Sequence, residues 1–123
     1  NKIGQSGYLD WADINFLKTA GWSFGSHTLT HPNLTTLSPE RAQQEIAVSK
    51  TKIEQHLGKP IAFFCYPAGQ YNKEIAQMVK DAGYKGALTT SSGQTNQLKD
   101  SYQLRRIKIS TSDTLEKFRD KIQ

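Results

Sequence analysis

The sequence predicts an α/β fold built on a parallel sheet, and three observations predict it. Runs rich in aromatic and β-branched residues (Trp22–Ser26, Ile61–Tyr66, Tyr84–Thr89, Leu104–Ile109) alternate with segments of helical periodicity. The helical segments open on capping residues and close on glycine. Histidines, a Pro-Ala-Gly turn and a polar loop each directly follow a strand-like run, the end at which such folds gather their chemistry.

The elements follow in order. Asp10 to Ala20 carries Trp11, Ile14, Phe16 and Leu17 at helical spacing, with Gly21 as its stop. Trp22 to Ser26 reads as a buried strand. Ser38-Pro39-Glu40 supplies an N-cap, a proline at the first helical position and an acid in the first turn. That helix should run to Leu57, ended by Gly58 and Pro60, with Ala42, Ile46, Ser49, Ile53 and Leu57 along one side. Ile61 to Tyr66 is the second strand. Asn72 caps a third helix that turns Ile75, Met78, Val79 and Ala82 inward and closes at Gly83. Tyr84 to Thr89 is a short strand, and polar Thr90 to Asp100 a loop. Leu104 to Ile109 alternates as a strand should. Thr111 to Asp113 is expected to cap a last helix carrying Leu115, Phe118 and Ile122. The sheet is either open or closed into a barrel.

Composition sets bounds. The chain has 123 residues, enough for one modest core, and 36% are hydrophobic. Mean hydropathy is −0.63, and no apolar run approaches the roughly 18 residues of a membrane span. The net charge of +5 is scattered along the chain. Nucleic-acid binding, which calls for clustered basic residues with stacking aromatics, is not expected. Cys65 is the single cysteine. It can form no disulfide within the chain, and its place in Ile61–Tyr66 reads as a buried, inert thiol.

The richest chemistry lies in Ser26-His27-Thr28-Leu29-Thr30-His31-Pro32. Neutral imidazole is the commonest protein ligand for zinc and similar ions. Along an extended strand two residues four apart are roughly 13 Å distant and cannot share an ion. On one helical turn they approach to about 6 Å and can converge. Pro32 should end such a turn at His31. The spacing alone equally fits capping, packing or surface histidines, and a catalytic zinc site takes three protein ligands. His56, near a helix C-terminus, reads as a solvated or dipole-paired imidazole.

SHTLTHPNL and FFCYPAGQYN, with Gly58-Lys59-Pro60, Asp81-Ala82-Gly83-Tyr84 and Leu104-Arg105-Arg106-Ile107 in the same order, resemble the polysaccharide deacetylases. These are the NodB-homology class, carbohydrate esterase family four. The resemblance spans nearly the whole chain. It implies a partial, distorted (β/α) barrel, with residues 1–123 as the C-terminal portion of a single catalytic domain that lacks its first strands here.

The family's His-(Ser/Thr)-x-x-His motif matches His27 to His31 without mismatch, which implies that both histidines ligate one divalent metal ion. Zinc is the first expectation, with cobalt, nickel or manganese as alternatives. A second motif, which sets a proline and the residue after it under the substrate, matches Pro67 and Ala68, implying that Pro67 contacts substrate and that the Ala68 N–H serves the oxyanion. Ala68 stands where a tyrosine is usual, and Cys65 where many members carry arginine. Arg106 matches an arginine of a secreted subgroup, where it would face substrate; a plain surface or ion-pair role is the alternative. Tyr66 and Tyr71 are candidates for stacking on sugar, or ordinary packing residues.

The family's Asp-Asp pair, which gives the third metal ligand and the general base, has no counterpart. Asp10, Asp13, Asp81, Asp100, Asp113 and Asp120 are isolated. The subgroup's Tyr-His segment, source of the acid histidine, is likewise absent. The expected activity of the whole domain is metal-dependent deacetylation of an acetylated polysaccharide containing N-acetylglucosamine, at the cell envelope or outside the cell. The alternatives are a glycan-binding pseudoenzyme and an O-acetyl xylan esterase. The expected partners are that polysaccharide and, for the exposed sheet, an N-terminal segment of the same protein or a second copy.

Overall fold

A computed structural model describes residues 3–94 and 97–122. Helix α1 (Trp11–Thr19) opens on a capping box in which Asp10 and Asp13 each accept the other's backbone N–H. Helix α2 (Pro39–Leu57) starts at Ser38, whose hydroxyl accepts from the Arg41 N–H, and ends at Gly58 with φ 65°, a left-handed cap that glycine adopts without cost. Strand β1 (Phe63–Cys65) leads into a single 3₁₀ turn, Pro67–Gly69. Helix α3 (Lys73–Asp81) is capped by Asn72 Oδ1 on the Ile75 N–H at 2.8 Å. Strands β2 (Gly86–Ser92) and β3 (Leu104–Arg106) and helix α4 (Leu115–Ile122) complete the order.

The sheet is parallel throughout, with β2 between β1 and β3. Phe63, Phe64 and Cys65 pair with Gly86, Ala87 and Leu88. Between β2 and β3 the register slips, so that Leu88 meets Leu104 but Ser92 meets Arg106. Thr89 sits at that irregularity and ties it down. Its hydroxyl donates to the Leu104 carbonyl, and its own carbonyl accepts from Arg106 Nε at 2.9 Å.

The core lies between the sheet and helices α2 and α3. Phe64 and Ala87 of the strands share one core cluster with Ala42, Ile46, Val79 and Ile75, and Phe64 meets Tyr66 edge-on and Tyr84 at a tilt. Buried polar groups are all partnered among the described residues. Ser26 and Ser49 share a 2.7 Å hydroxyl pair, and the Tyr84 hydroxyl donates to the Ile46 carbonyl. Burial raises the Tyr84 pKa above its usual value.

Several expectations are corrected. Trp22–Ser26 forms no strand of its own. It touches the sheet through one bridge, Ser26 to Phe64, and Trp22 is 61% exposed. A strand needs a continuous partner ladder as well as β-forming residues, and this segment makes a single isolated bridge. β2 runs three residues past Thr89 into the expected loop. The reading of Thr95 and Asn96 as loop lies outside the described residues. Ile107–Ile109 leaves the sheet. The last helix is capped by Thr114, whose hydroxyl accepts from the Lys117 N–H, rather than by Thr111–Asp113. Asp113 instead accepts from Lys121 Nζ at 2.7 Å, a contact that holds its carboxyl below the usual range. Leu115, Phe118 and Ile122 face outward.

Candidate metal and oxyanion site

The bridge at Ser26 places His27 beside the carboxyl end of β1. Ser26 N–H donates to the Phe63 carbonyl, and the Cys65 N–H donates back to the Ser26 carbonyl. One residue on, His27 Nδ1 lies 2.7 Å from the Cys65 carbonyl oxygen. A carbonyl can only accept, so Nδ1 carries the proton and Nε2 keeps its lone pair for a ligand.

His31 reaches the same place without the helical turn that the spacing suggested. Thr28 has φ 67° and His31 φ 63°, both in the left-handed region. Two such kinks fold the chain back on itself, and the His31 N–H closes the loop on the Thr28 hydroxyl at 3.0 Å. The two imidazole centroids come to 4.7 Å, with the rings at 73°.

The ring pair meets a simple test for a shared ion. Tetrahedral coordination with Zn–N near 2.1 Å puts two imidazole centroids roughly 5 Å apart. The observed spacing and the free Nε2 of His27 fit that arrangement. Among the described residues, no group of three or more His, Cys, Asp or Glu could hold a metal. The described residues thus offer an ion these two imidazoles and no third donor beside them.

Across the rim, the turn after β1 carries the third left-handed non-glycine residue, Ala68, at φ 51°. The three non-glycine residues with positive φ among the described residues all lie in these two loops. Backbone strain of this kind, on the order of 1–3 kcal/mol each, is concentrated at functional sites. The turn is anchored from behind. Pro67 is buried, and Gly69 packs so closely on β2 that a Cβ there would lie 2.2 Å from Thr90 Oγ1 and 2.7 Å from the Thr90 nitrogen. The Gly69 and Gln70 N–H groups are spent on the Tyr66 and Pro67 carbonyls. Among the described residues the Ala68 N–H has no acceptor, and Ala68 is exposed.

A cavity of about 620 Å³ runs over the sheet face opposite the helices, lined by Phe24, His27, Phe63, Cys65, Leu88, Leu104 and Arg106 among others. His27 and Arg106 therefore share one space. Cys65 is half-buried and lines it, which corrects the expectation of a fully buried thiol. Tyr66 and Tyr71 do not join them. Tyr66 is 1% exposed, stacked on Tyr71 at 4.8 Å and bonded through its hydroxyl to the Tyr102 carbonyl. Its burial pushes its pKa well up and leaves no ring face for sugar, so its part is packing. Tyr71 is half-buried, donates to Gln103 Oε1, and lines a separate cavity of about 560 Å³.

One residue that the motifs do not point to belongs to the site. Glu45, 1% exposed on α2, accepts from the Leu29 and Thr30 N–H groups and from the Thr30 hydroxyl, all within 2.9 Å. Its burial raises the carboxyl pKa, and the Thr30 and Leu29 bonds with the nearby Arg41 charge more than reverse that, so the net shift is downward. A signal existed in the sequence. Glu45 lies three residues after Ala42 and four before Ser49, inside the stripe that faces the core.

Comparison with known proteins bears on the family and the fold. The family model described as polysaccharide deacetylase matches residues 2–87. The Bacillus subtilis (strain 168) protein YxkH, named among the polysaccharide deacetylases, is 30% identical over 108 residues, covering 88% of this chain and 39% of its own length. The Streptococcus pyogenes deacetylase PplD, solved in complex with acetate, superposes with a TM-score of 0.91 at 28% identity, over 98% of this chain and 53% of that one. The Bacillus cereus polysaccharide deacetylase BC0361 gives 0.90 at 27% identity, over 99% of this chain and 39% of that one. The chain thus spans about half or less of the length of these relatives, and its parallel sheet with covering helices is part of their α/β barrel. The chain belongs to the polysaccharide deacetylase family, a family of hydrolases classed as carbohydrate esterase family four.

Proposed function

We propose that the whole protein removes acetyl groups from N-acetylglucosamine units of a polysaccharide at the cell envelope or outside the cell, using a divalent ion. In this reading the chain supplies two of the ion's ligands, His27 and His31, and one oxyanion donor, the Ala68 N–H. The observation that carries the reading is the pair of imidazoles 4.7 Å apart, with His27 Nδ1 committed to the Cys65 carbonyl. Zinc is the first choice of ion, and cobalt, nickel or manganese suit the same donors.

When bound, the ion supplies a Lewis acid for the amide carbonyl and makes water nucleophilic near neutral pH. Water adds to the acetyl carbon, and the Ala68 N–H donates to the oxygen as it gains charge. The left-handed backbone at Ala68 sets the direction of that donor before substrate arrives, so no reorganisation is needed at the moment of reaction. The C–N bond then breaks, acetate leaves, and the amine takes a proton. A base and an acid for these transfers must come from residues beyond those identified in this chain. Arg106 is held through Nε by the Thr89 carbonyl and lines the cavity with His27; in this reading it would meet polar groups of the sugar.

The alternative reading is a glycan-binding pseudoenzyme, which would hold the sugar without turnover. One experiment separates the two. Full-length protein is supplied with Zn²⁺, Co²⁺, Ni²⁺ or Mn²⁺ and tested for acetate release from chitooligosaccharide, poly-N-acetylglucosamine, peptidoglycan and acetylated xylan. Release from the first three supports the proposal, and release from xylan alone makes it an O-acetyl esterase. Glycan binding without acetate release makes it a pseudoenzyme. His27→Ala or His31→Ala should each abolish metal retention, measured by metal analysis after dialysis, a loss greater than the roughly 10–100-fold that follows removal of a group that only orients a ligand.

A further inference from the structure

Glu45 is a charged side chain inside the fold, and every hydrogen bond its carboxylate accepts comes from the histidine loop. Its Oε2 takes the Leu29 N–H at 2.8 Å and the Thr30 N–H at 2.9 Å. Its Oε1 takes the Thr30 hydroxyl at 2.8 Å and faces the Arg41 guanidinium at 3.6 Å. The two amides it grips lie between the two left-handed residues of the loop, Thr28 and His31. Neither of those residues favours its own backbone conformation, since both carry a Cβ and one is β-branched. Something outside the loop must hold the peptides that join them, and the carboxylate is placed to do so. Both oxygens are thereby occupied, so Glu45 acts through the loop and not as a ligand.

We propose that Glu45 is the positioning residue of the metal site: its carboxylate clamps residues 29 and 30 and so fixes the angle at which His27 and His31 present their nitrogens. This rests on the reading of the two histidines as ligands of one ion. Helix α2 is rigidly seated by Ile46 and Ser49, the latter bonded to Ser26 directly before His27. The loop is thus held at its root by Ser49 and at its crest by Glu45, both from one helix.

The test uses the full-length protein. Zn²⁺ affinity is measured by competition with a chelating dye, and the Co²⁺-loaded protein is examined for its ligand-field absorption. Glu45→Gln, which keeps the shape and loses the charge, should weaken Zn²⁺ binding about 10-fold, and Glu45→Ala about 100-fold, the range seen when groups that orient ligands are removed. The Co²⁺ bands should shift in both. Thr30→Val removes one of the three bonds and should give a smaller loss in the same direction; it stands in if Glu45→Ala does not fold. Val79→Ala, in the core on α3, should lower the melting temperature and leave affinity and spectrum unchanged. If Glu45→Gln and Thr30→Val behave like Val79→Ala, the positioning role is overturned while the metal site stands. If the unsubstituted protein binds no ion, the metal reading and this inference both fall.

Discussion

Ala68 holds φ 51° with a side chain that glycine would not carry. Ala68→Gly should therefore relieve strain of about 1 kcal/mol, partly offset by the greater freedom of the unfolded chain. The expected result is a melting temperature equal to or above that of the parent; a clear fall would mean that the Cβ packs usefully. Gly69→Ala, one residue on, should do the opposite, because the new Cβ meets Thr90 backbone and hydroxyl in a left-handed position. Acid should act through the carboxylates. Glu45, Glu54 and Asp113 all have folded pKa values below their ordinary ones. A depressed carboxyl contributes stability that is complete above its unfolded value, near 4.5 for glutamate, and is lost as the pH falls through the folded value. Melting temperature should thus drop as the pH is taken below about 4.5, and Glu45→Gln should flatten part of that drop. At this scale the sequence was most informative where a motif was short and continuous. His27, His31 and Ala68 stood out as candidates because their neighbours in the chain announce them. Glu45 was not, because its partners at Leu29 and Thr30 are distant in sequence and a glutamate in a helix is normally a surface residue.

Helices were legible because their ends are written locally. Ser38 with Pro39, Asn72, and the Asp10–Asp13 box each supply a cap within four residues of the helix they start. Asn72→Ala should accordingly cost about 1 kcal/mol, read as a shift in denaturant midpoint, since it strips the Ile75 N–H of its acceptor. An unchanged midpoint would show that solvent replaces the cap. Strands were less legible, for a physical reason. Trp22, Ser23 and Phe24 have the composition of a strand, yet a strand exists only where a neighbour accepts its ladder, and composition carries no record of the neighbour. The same holds for Ile107–Ile109. Conversely Thr90, Ser91 and Ser92 look like loop and are strand, because β1, the 3₁₀ turn and β3 surround β2 and give it partners. Thr114 shows the error that competing candidates cause: four adjacent residues could cap α4, and only the geometry of the turn selects one.

For the molecule as a whole, two apolar surfaces have no cover among the described residues. One is the sheet face with Phe63, which is 46% exposed, and the other is the outer side of α4, where Leu115 is 84% exposed and Phe118 and Ile122 lie beside it. Patches of this sort draw protein partners. Prepared by itself, the 123-residue chain should associate, and light scattering after size exclusion at tens of micromolar should give a mass above 13.8 kDa. A stable monomer would show that these faces tolerate water. The general class was legible at this scale, since alternating strands and helices leave few topologies, and the exposed sheet was expected from the sequence, whereas the bare outer side of α4 emerged only with the structure. The half-buried thiol of Cys65 opens a practical route into the site. It is the chain's single cysteine, it sits on the cavity wall, and its own carbonyl holds the His27 ring. A small environment-sensitive fluorophore coupled there would report ion loading or sugar docking as a change in emission, with no engineered attachment point in this segment.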